Sequence, residues 1–500
     1  MPLPRPFRIV VIVETFAPDV SSLPAAHPRA RRLSADAAIK TFFASNAFVA
    51  IVVLALITVF LVREGFGFFG ENLKGIRLYR RAGLEYVDIL RATAQRHSLL
   101  SRELSQIRLQ ESDANALAAF DQFATGFSDA ADDLSGIVSD TGDQALALRE
   151  QGATDPNAVT ALRVAETRFD QTAPVMKDKI DNLIATAPQL PTARAQHSFE
   201  KWKQNARVYL ASFPETSQKL HAWNPNEPVP AYRAITSFLF GREWITASFW
   251  QDWYGIIPLL VGSIMVAAVA LALAVPLGVA SAIYVSEIAA RGEKSLIKPY
   301  IEFIAAIPSV VLGFFGIAVV GQAVRAASHM SIFHWVPFFP ISERLNVFTA
   351  GSLLALMAVP TIFTLSEDAL RNVPRGFKEA SYALGANRLQ TIARVLVPAS
   401  LSGIVSASLL GLGRVIGETM VVLLCAGNRI AIPDFTQGVG AFFQPVHTMT
   451  GIIAQEMGEV VRGSIHYRAL FMVGLVLFLL TLGINYLAQK FVARFRMTIG

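Results

Sequence analysis

A single cysteine, Cys425, in 500 residues excludes an internal disulfide and any metal centre built on thiolates. Set in an apolar stretch, it reads as a small core residue. Charge is scarce too. Asp, Glu, Lys and Arg make up 16% of the chain against 53% hydrophobic residues, too few to clothe a water-soluble body of this length. No Gly-x-x-x-x-Gly-Lys-Ser/Thr phosphate loop is present. The nearest string, Gly292-Glu293-Lys294-Ser295, lacks both the spacing and a preceding strand, so ATP chemistry must come from elsewhere. No nucleophile or acid–base pair sits at a useful spacing for an enzyme. His334, His447 and His466 stand at no metal-ligand spacing and read as surface or interface residues. The net charge of +6 comes from basic residues at the ends of apolar segments, a pattern that belongs to membranes rather than nucleic acid.

What the chain has in quantity is long apolar runs. Six of them, near 42–62, 256–285, 301–324, 347–366, 400–425 and 468–489, are each long enough to cross about 30 Å of hydrocarbon. Basic clusters before the first, between the second and third, between the fourth and fifth, and after the sixth all fall on one side. The positive-inside rule makes that side, and both termini, cytoplasmic. The reading is all-α: a polytopic membrane protein of six transmembrane helices with a large helical insert after the first. Residues 1–40 read as a disordered cytoplasmic N-terminus and 41–63 as the first transmembrane helix. Residues 64–250 form an external, mostly helical insert, and 251–497 a five-helix transmembrane domain with a cytoplasmic loop at 367–398.

Within the insert, apolar residues recur at helical spacing: Leu84, Val87, Leu90, then Leu100, Leu104, Ile107. Breakers at Gly152, Pro156, Pro188, Pro191 and Pro214 divide it into several helices, and Asn224–Pro230 reads as a linker back to the membrane. Trp250, Trp253 and Tyr254 then suit the lipid–water interface. The residues of the insert name no function.

Three stretches carry mechanism. The first is the loop from Leu370 to Pro398: a short amphipathic helix, a turn at Gly385, and a second helix ended by Pro398. The second is Gly413-Arg414-Val415-Ile416-Gly417-Glu418-Thr419 in the fifth span. An arginine at mid-span costs about 2.5–3.5 kcal/mol on insertion scales, so it needs a reason. Arg414 and Glu418 are four apart, which puts them on one helix face where each partly neutralises the other. They either brace the bundle or line a path on which a guanidinium holds an oxyanion bidentately. Gly403, Gly411, Gly413 and Gly417, with Ser406 and Ala407, give that helix a small-residue side for close contact. The third is Glu302 followed by Ile307-Pro308-Ser309, where proline would kink the third span, as a hinge or as a tolerated bend.

The string Glu379-Ala380-Ser381, then Gly385, then Val395-Leu396-Val397-Pro398 resembles the loop by which permeases of ATP-binding-cassette importers dock their ATPase. Glu379, Ala380, Gly385 and Pro398 match in register. Together with Phe240-Gly241-Arg242-Glu243-Trp244, the run Pro276 to Tyr284, Ile307-Pro308-Ser309-Val310-Val311, the Gly413–Thr419 string and Arg468-Ala469-Leu470, the chain resembles the PstC-type permease subunits of phosphate importers over about 42–70 and 236–497. That resemblance implies a bacterial inner-membrane location and a phosphate path containing Arg414, Glu418 and Thr419. It also implies a homologous PstA-type permease, an ATPase dimer that brings ATP and Mg, and a periplasmic phosphate-binding protein. No cofactor is implied in this chain itself. The long insert departs from the family pattern.

Other classes make distinguishable demands. A sensor would need a sizeable cytoplasmic signalling domain, and only a few residues follow the last span; an importer that also senses phosphate through its insert stays open. An importer for sulfate or molybdate differs only in which anion competes. A secondary transporter would have no use for an ATPase-docking loop.

Overall fold

The computed structural model describes residues 30–495 except 112, 153–160, 247, 334, 337 and, within some helices, a few side chains. Most of residues 1–40, and His334 and Pro156, therefore lie outside the described residues. Six helices are long and apolar enough to cross a membrane: Ala37–Arg81, Ile257–Ile288, Ser309–Ser328, Val347–Arg371, Arg388–Ile416 and Ile465–Lys490. The fold class agrees with the sequence reading, but several boundaries move. The first helix begins at Ala30, inside the stretch read as disordered, and runs to Arg81 without stopping at Arg63. Nothing between Arg63 and Arg81 breaks it, since Gly65, Gly67, Gly70 and Gly75 are scattered singly and no proline occurs. It ends where Gly83 adopts φ +80°, the left-handed turn that glycine takes without strain.

The chain forms two compact units, Met1–Phe60 and Leu61–Gly500. In the first, Phe42, Phe43, Phe48, Ile51 and Leu56 are all exposed along the helix, the apolar surface expected of a span seen without lipid. The second unit contains the helical insert and the other five spans.

The insert is a bundle of helices at Leu84–Arg108, Ala114–Asp129, Asp132–Glu150, Val164–Ala185, Ala193–Ala211 and Phe213–Ala222. Leu84, Val87, Leu90, Leu100, Leu104 and Ile107 are all buried, as their spacing requires. Asp113 caps the second of these helices by accepting from the N–H groups of Asn115 and Ala116. Pro214 opens a helix, in keeping with its missing N–H, whereas Pro174 lies inside one. At the centre Trp202 is 1% exposed. Its indole N–H donates to the Leu100 carbonyl at 2.9 Å, and its ring stacks with Phe199 and meets Phe123 and Phe127 edge-on.

His97 is buried beside them, stacked on Phe127 at 4.3 Å with Nε2 2.9 Å from the Phe127 carbonyl. Burial pushes its imidazole below the usual histidine range, only partly offset by the backbone carbonyls of Phe127 and Ser128. The unfolded chain then binds a proton more readily than the folded one. Bundle stability should fall as pH drops through the ordinary histidine value of about 6.5 and on through the lower folded value. Hydrogen exchange of bundle peptides in the full chain, corrected for intrinsic rates, should show protection lost between neutral and mildly acidic pH. In His97→Phe that loss should be smaller.

The bundle is fastened to the residues leading into the second span. Trp250 makes this fastening: its indole N–H donates to Asp88 at 2.8 Å, the Arg91 guanidinium lies 3.6 Å above its ring, and Arg149 donates to its carbonyl. Trp244–Ile245 and Trp253–Tyr254 pair as a short antiparallel hairpin in an otherwise mainly helical chain. Phe68 of the first helix, Phe238, Tyr254 and Leu470 of the sixth span share a buried cluster beneath it, and Glu71 pairs with Arg468 at 3.1 Å.

In the transmembrane core the second, fourth and fifth spans lie close, because Gly278 and Gly411 both abut Ile362 and Gly403 abuts Ala369. Buried Ala407 falls between Gly403 and Gly411 at four-residue steps, so these three form the contact face. Gly413 and Gly417 point elsewhere, and Gly417 is exposed.

Candidate functional site

The fifth span does not continue to residue 425. Its helix ends at Ile416, Gly417-Glu418-Thr419 form a break, and a short helix restarts at Met420–Cys425. Arg414 sits in the last helical turn with its side chain exposed, and its Nη1 donates to Thr361 Oγ1 of the fourth span at 3.3 Å. The expected ion pair with Glu418 is absent. Because the helix ends between them, the two no longer lie one turn apart on one face. Glu418 instead caps the restarted helix: its Oε1 accepts the Met420 N–H at 3.2 Å, and its carbonyl accepts the Thr450 hydroxyl at 2.8 Å. Thr419 holds the first turn of that helix by its carbonyl, which accepts the Leu423 N–H at 2.9 Å.

Thr450 belongs to Met449–Glu456, a short helix whose N-terminal Met449 N–H donates to the Ser263 hydroxyl oxygen of the second span at 3.0 Å. His447 just before it is 2% exposed and bonded to Gln455 at 3.0 Å, and His466 meets Glu456 at 2.7 Å. His447 is thus an internal residue, not a surface one. Asn485 of the sixth span, exposed and without a side-chain hydrogen bond among the described residues, lies beside Gly413.

The structure therefore gathers an arginine without a carboxylate partner among the described residues, Thr361, Asn485 and a helix break from three spans. Such a group can hold an oxyanion by charge-assisted hydrogen bonds while leaving it free to depart. Thr361 and Asn485 escape a reading along the sequence, since a lone Thr after Pro360 and a lone Asn in a span carry no motif. Only the fold brings Thr361 to Arg414 and Asn485 to the neighbouring Gly413.

The third span differs from expectation as well. Glu302 lies exposed on a separate helix, Arg291–Ala305, and Pro308 occupies the cap position before Ser309. Proline here starts a helix rather than kinking one, because its missing N–H costs nothing in a first turn. Any hinge would be the joint at residues 306–308.

The cytoplasmic-type loop is built as a rigid wedge. The helix Arg375–Ala383 closes at Gly385, where φ is +81°, and Asn387 caps the next helix reciprocally with Gln390. The Ser381 and Thr391 hydroxyls meet at 2.9 Å in a buried contact that ties the two arms. Lys378 pairs with Glu287 at 2.7 Å, and Arg388 donates to the Glu287 carbonyl, fixing the wedge to the end of the second span. Behind it, fully buried Glu367 lies 3.0 Å from Lys298 and 3.2 Å from Arg371. Pro398 does not end the second arm. The helix passes through a π-turn at Ile392–Leu396 just before it, which accommodates the carbonyl that proline leaves unpaired. Glu379 and Ala380 lie on the first arm beside buried Ser381.

Leu384 and Leu389 stand 89% and 69% exposed at the tip, flanked by half-exposed Phe377 and Tyr382. An apolar tip on a braced wedge is a surface for another protein. Leu384→Asp with Leu389→Asp should leave the chain inserted and folded, but reduce co-purification with an ATPase subunit by at least about tenfold, from the apolar area lost. A pull-down from detergent extracts measures it.

A family profile described as binding-protein-dependent transport system inner membrane component matches residues 274–497. The probable ABC transporter permease protein YqgH of Bacillus subtilis is 36% identical over 275 residues, covering 52% of this chain and 82% of that protein. The phosphate transport system permease protein PstC of Haemophilus influenzae is 31% identical over 277 residues, covering 52% and 84%. PstC 1 of Mycobacterium tuberculosis is 33% identical over 257 residues, covering 49% and 74%. The matched family region takes in the wedge, the broken fifth span and the sixth span together. With six spans, and with relatives matched over most of their own length, the chain belongs to the binding-protein-dependent transport system inner membrane components, as a PstC-type ABC permease: a transporter subunit, not an enzyme.

Proposed function

We propose that the chain forms one half of the translocation path of an ATP-driven importer of inorganic phosphate. Arg414 carries the reading. It is an exposed guanidinium in a span, bonded to a neutral threonine rather than to a carboxylate, and it keeps its charge for a passing anion. Thr361 and Asn485 supply neutral hydrogen-bonding groups beside it. Glu418 and Thr419 shape the break that exposes it. The similarity to permeases named for phosphate transport supports the choice of anion.

The partners follow from the same reading: a homologous PstA-type permease, two ATPase subunits that bring ATP and Mg through the Glu379–Pro398 wedge, and an external phosphate-binding protein. Both termini and the wedge face the cytoplasm, and the bundle faces outward. Labelled-phosphate uptake into cells lacking their own importer, with this chain and its neighbouring subunits expressed, tests the assignment. Unlabelled phosphate should compete, and sulfate and molybdate should not. Competition by sulfate or molybdate alone would keep the importer and replace its substrate.

A further inference from the structure

The foot of the bundle holds a cavity of about 260 Å³ lined by Arg77, Arg80, Arg81, Asn226 and Glu227, with Pro225 and Pro228 stiffening its wall. It is smaller than the clefts that take drug-sized molecules, which suits a small ligand. Arg80 is largely buried and already committed: its guanidinium grips Glu85 through two nitrogens at 2.6 and 3.1 Å and reaches Glu227 at 3.2 Å. Arg233 shares Glu85 at 3.4 Å. Arg77 and Arg81 are exposed and have no ion pair among the described residues. Of the three guanidiniums that line this opening, Arg80 is paired, while Arg77 and Arg81 are left without a carboxylate among the described residues.

Arg77 and Arg81 are also one helical turn apart, a like-charged pairing that is unfavourable in an isolated helix. The helix dipole favours cations at this C-terminal end, which accounts for one arginine more easily than for three around a cavity. A tetrahedral oxyanion between Arg77 and Arg81 relieves the repulsion and gains charge-assisted hydrogen bonds.

We propose that this cavity is a second oxyanion site, separate from Arg414, that takes inorganic phosphate at the junction of the bundle and the first helix. It rests on the reading above only for the identity of the anion. Because the cavity is walled on one side by the first helix and on the other by the 225–229 segment that leads back to the second span, occupancy ties the bundle's exit to its entrance.

The test uses the full chain with its partner subunits in neutral-lipid nanodiscs, and equilibrium binding of labelled inorganic phosphate at constant ionic strength. Arg414→Ala removes the path from the measurement. In that background saturable binding should persist, and Arg77→Gln with Arg81→Gln should weaken it at least tenfold. Glu227→Gln should tighten it, a direction that damage to the fold does not produce. Unchanged binding in the double variant overturns the site, as does equal displacement by chloride, which marks an ordinary counterion atmosphere. If uptake proves to be of another anion while the Arg77 and Arg81 dependence holds, the cavity stands and the transport assignment falls.

Discussion

Replacing Arg414 by alanine is expected to lower phosphate uptake by about ten- to a hundredfold, the rate equivalent of the 1.5–3 kcal/mol that a charge-assisted hydrogen bond carries. Insertion should not suffer, since an alanine in a span is easier to accommodate than an arginine. Among the described residues the side chain bonds to Thr361, and that residue is only partly buried. Arg414→Lys keeps the charge but loses the planar fork, so it should recover part of the rate and bind the anion less selectively. Initial uptake rates, normalised to membrane-inserted protein, measure both. Full transport by Arg414→Ala would remove the guanidinium from the path and leave it a bond to the fourth span.

The second large effect belongs to the bundle. Trp202→Ala removes an indole that touches Phe123, Phe127 and Phe199, together with its hydrogen bond to the Leu100 carbonyl. Loss of a buried tryptophan costs about 3–5 kcal/mol, a large share of the stability of a domain this size. Hydrogen exchange in the full chain should show the helices from Leu84 to Ala222 opening together, while the spans from Ile257 onward stay protected. Protection that falls everywhere would mean that the Trp250 fastening makes bundle and spans one cooperative body.

Hydropathy located every span, because apolar length survives any change of context. It could not locate their ends. The first helix runs eighteen residues past Arg63 because polar residues continue a helix as readily as apolar ones when a tertiary partner, here Phe68 against the sixth span, holds them. The fifth span breaks at Gly417 although its neighbours are apolar. What stops the helix is tertiary: Thr450 takes the Glu418 carbonyl and the Glu418 side chain caps a new helix. A four-residue spacing therefore suggested an Arg414–Glu418 pair that the backbone does not permit. The insert's core was legible from its periodicity at Leu84 to Ile107. Its fastening was not, since Trp250, Asp88 and Arg91 stand far apart in sequence. The wedge matched its motif in register, but the π-turn before Pro398 had no signature that composition could carry.

The contact between Arg80 and Glu227 has a further meaning. The chain leaves the first helix at Arg81 and returns at Glu227, and the two points are held within one side chain's reach. A segment whose ends meet can be exchanged as a cassette, because a few residues suffice to rejoin the flanking chain. The same seam should therefore accept a fluorescent or affinity module in the bundle's place.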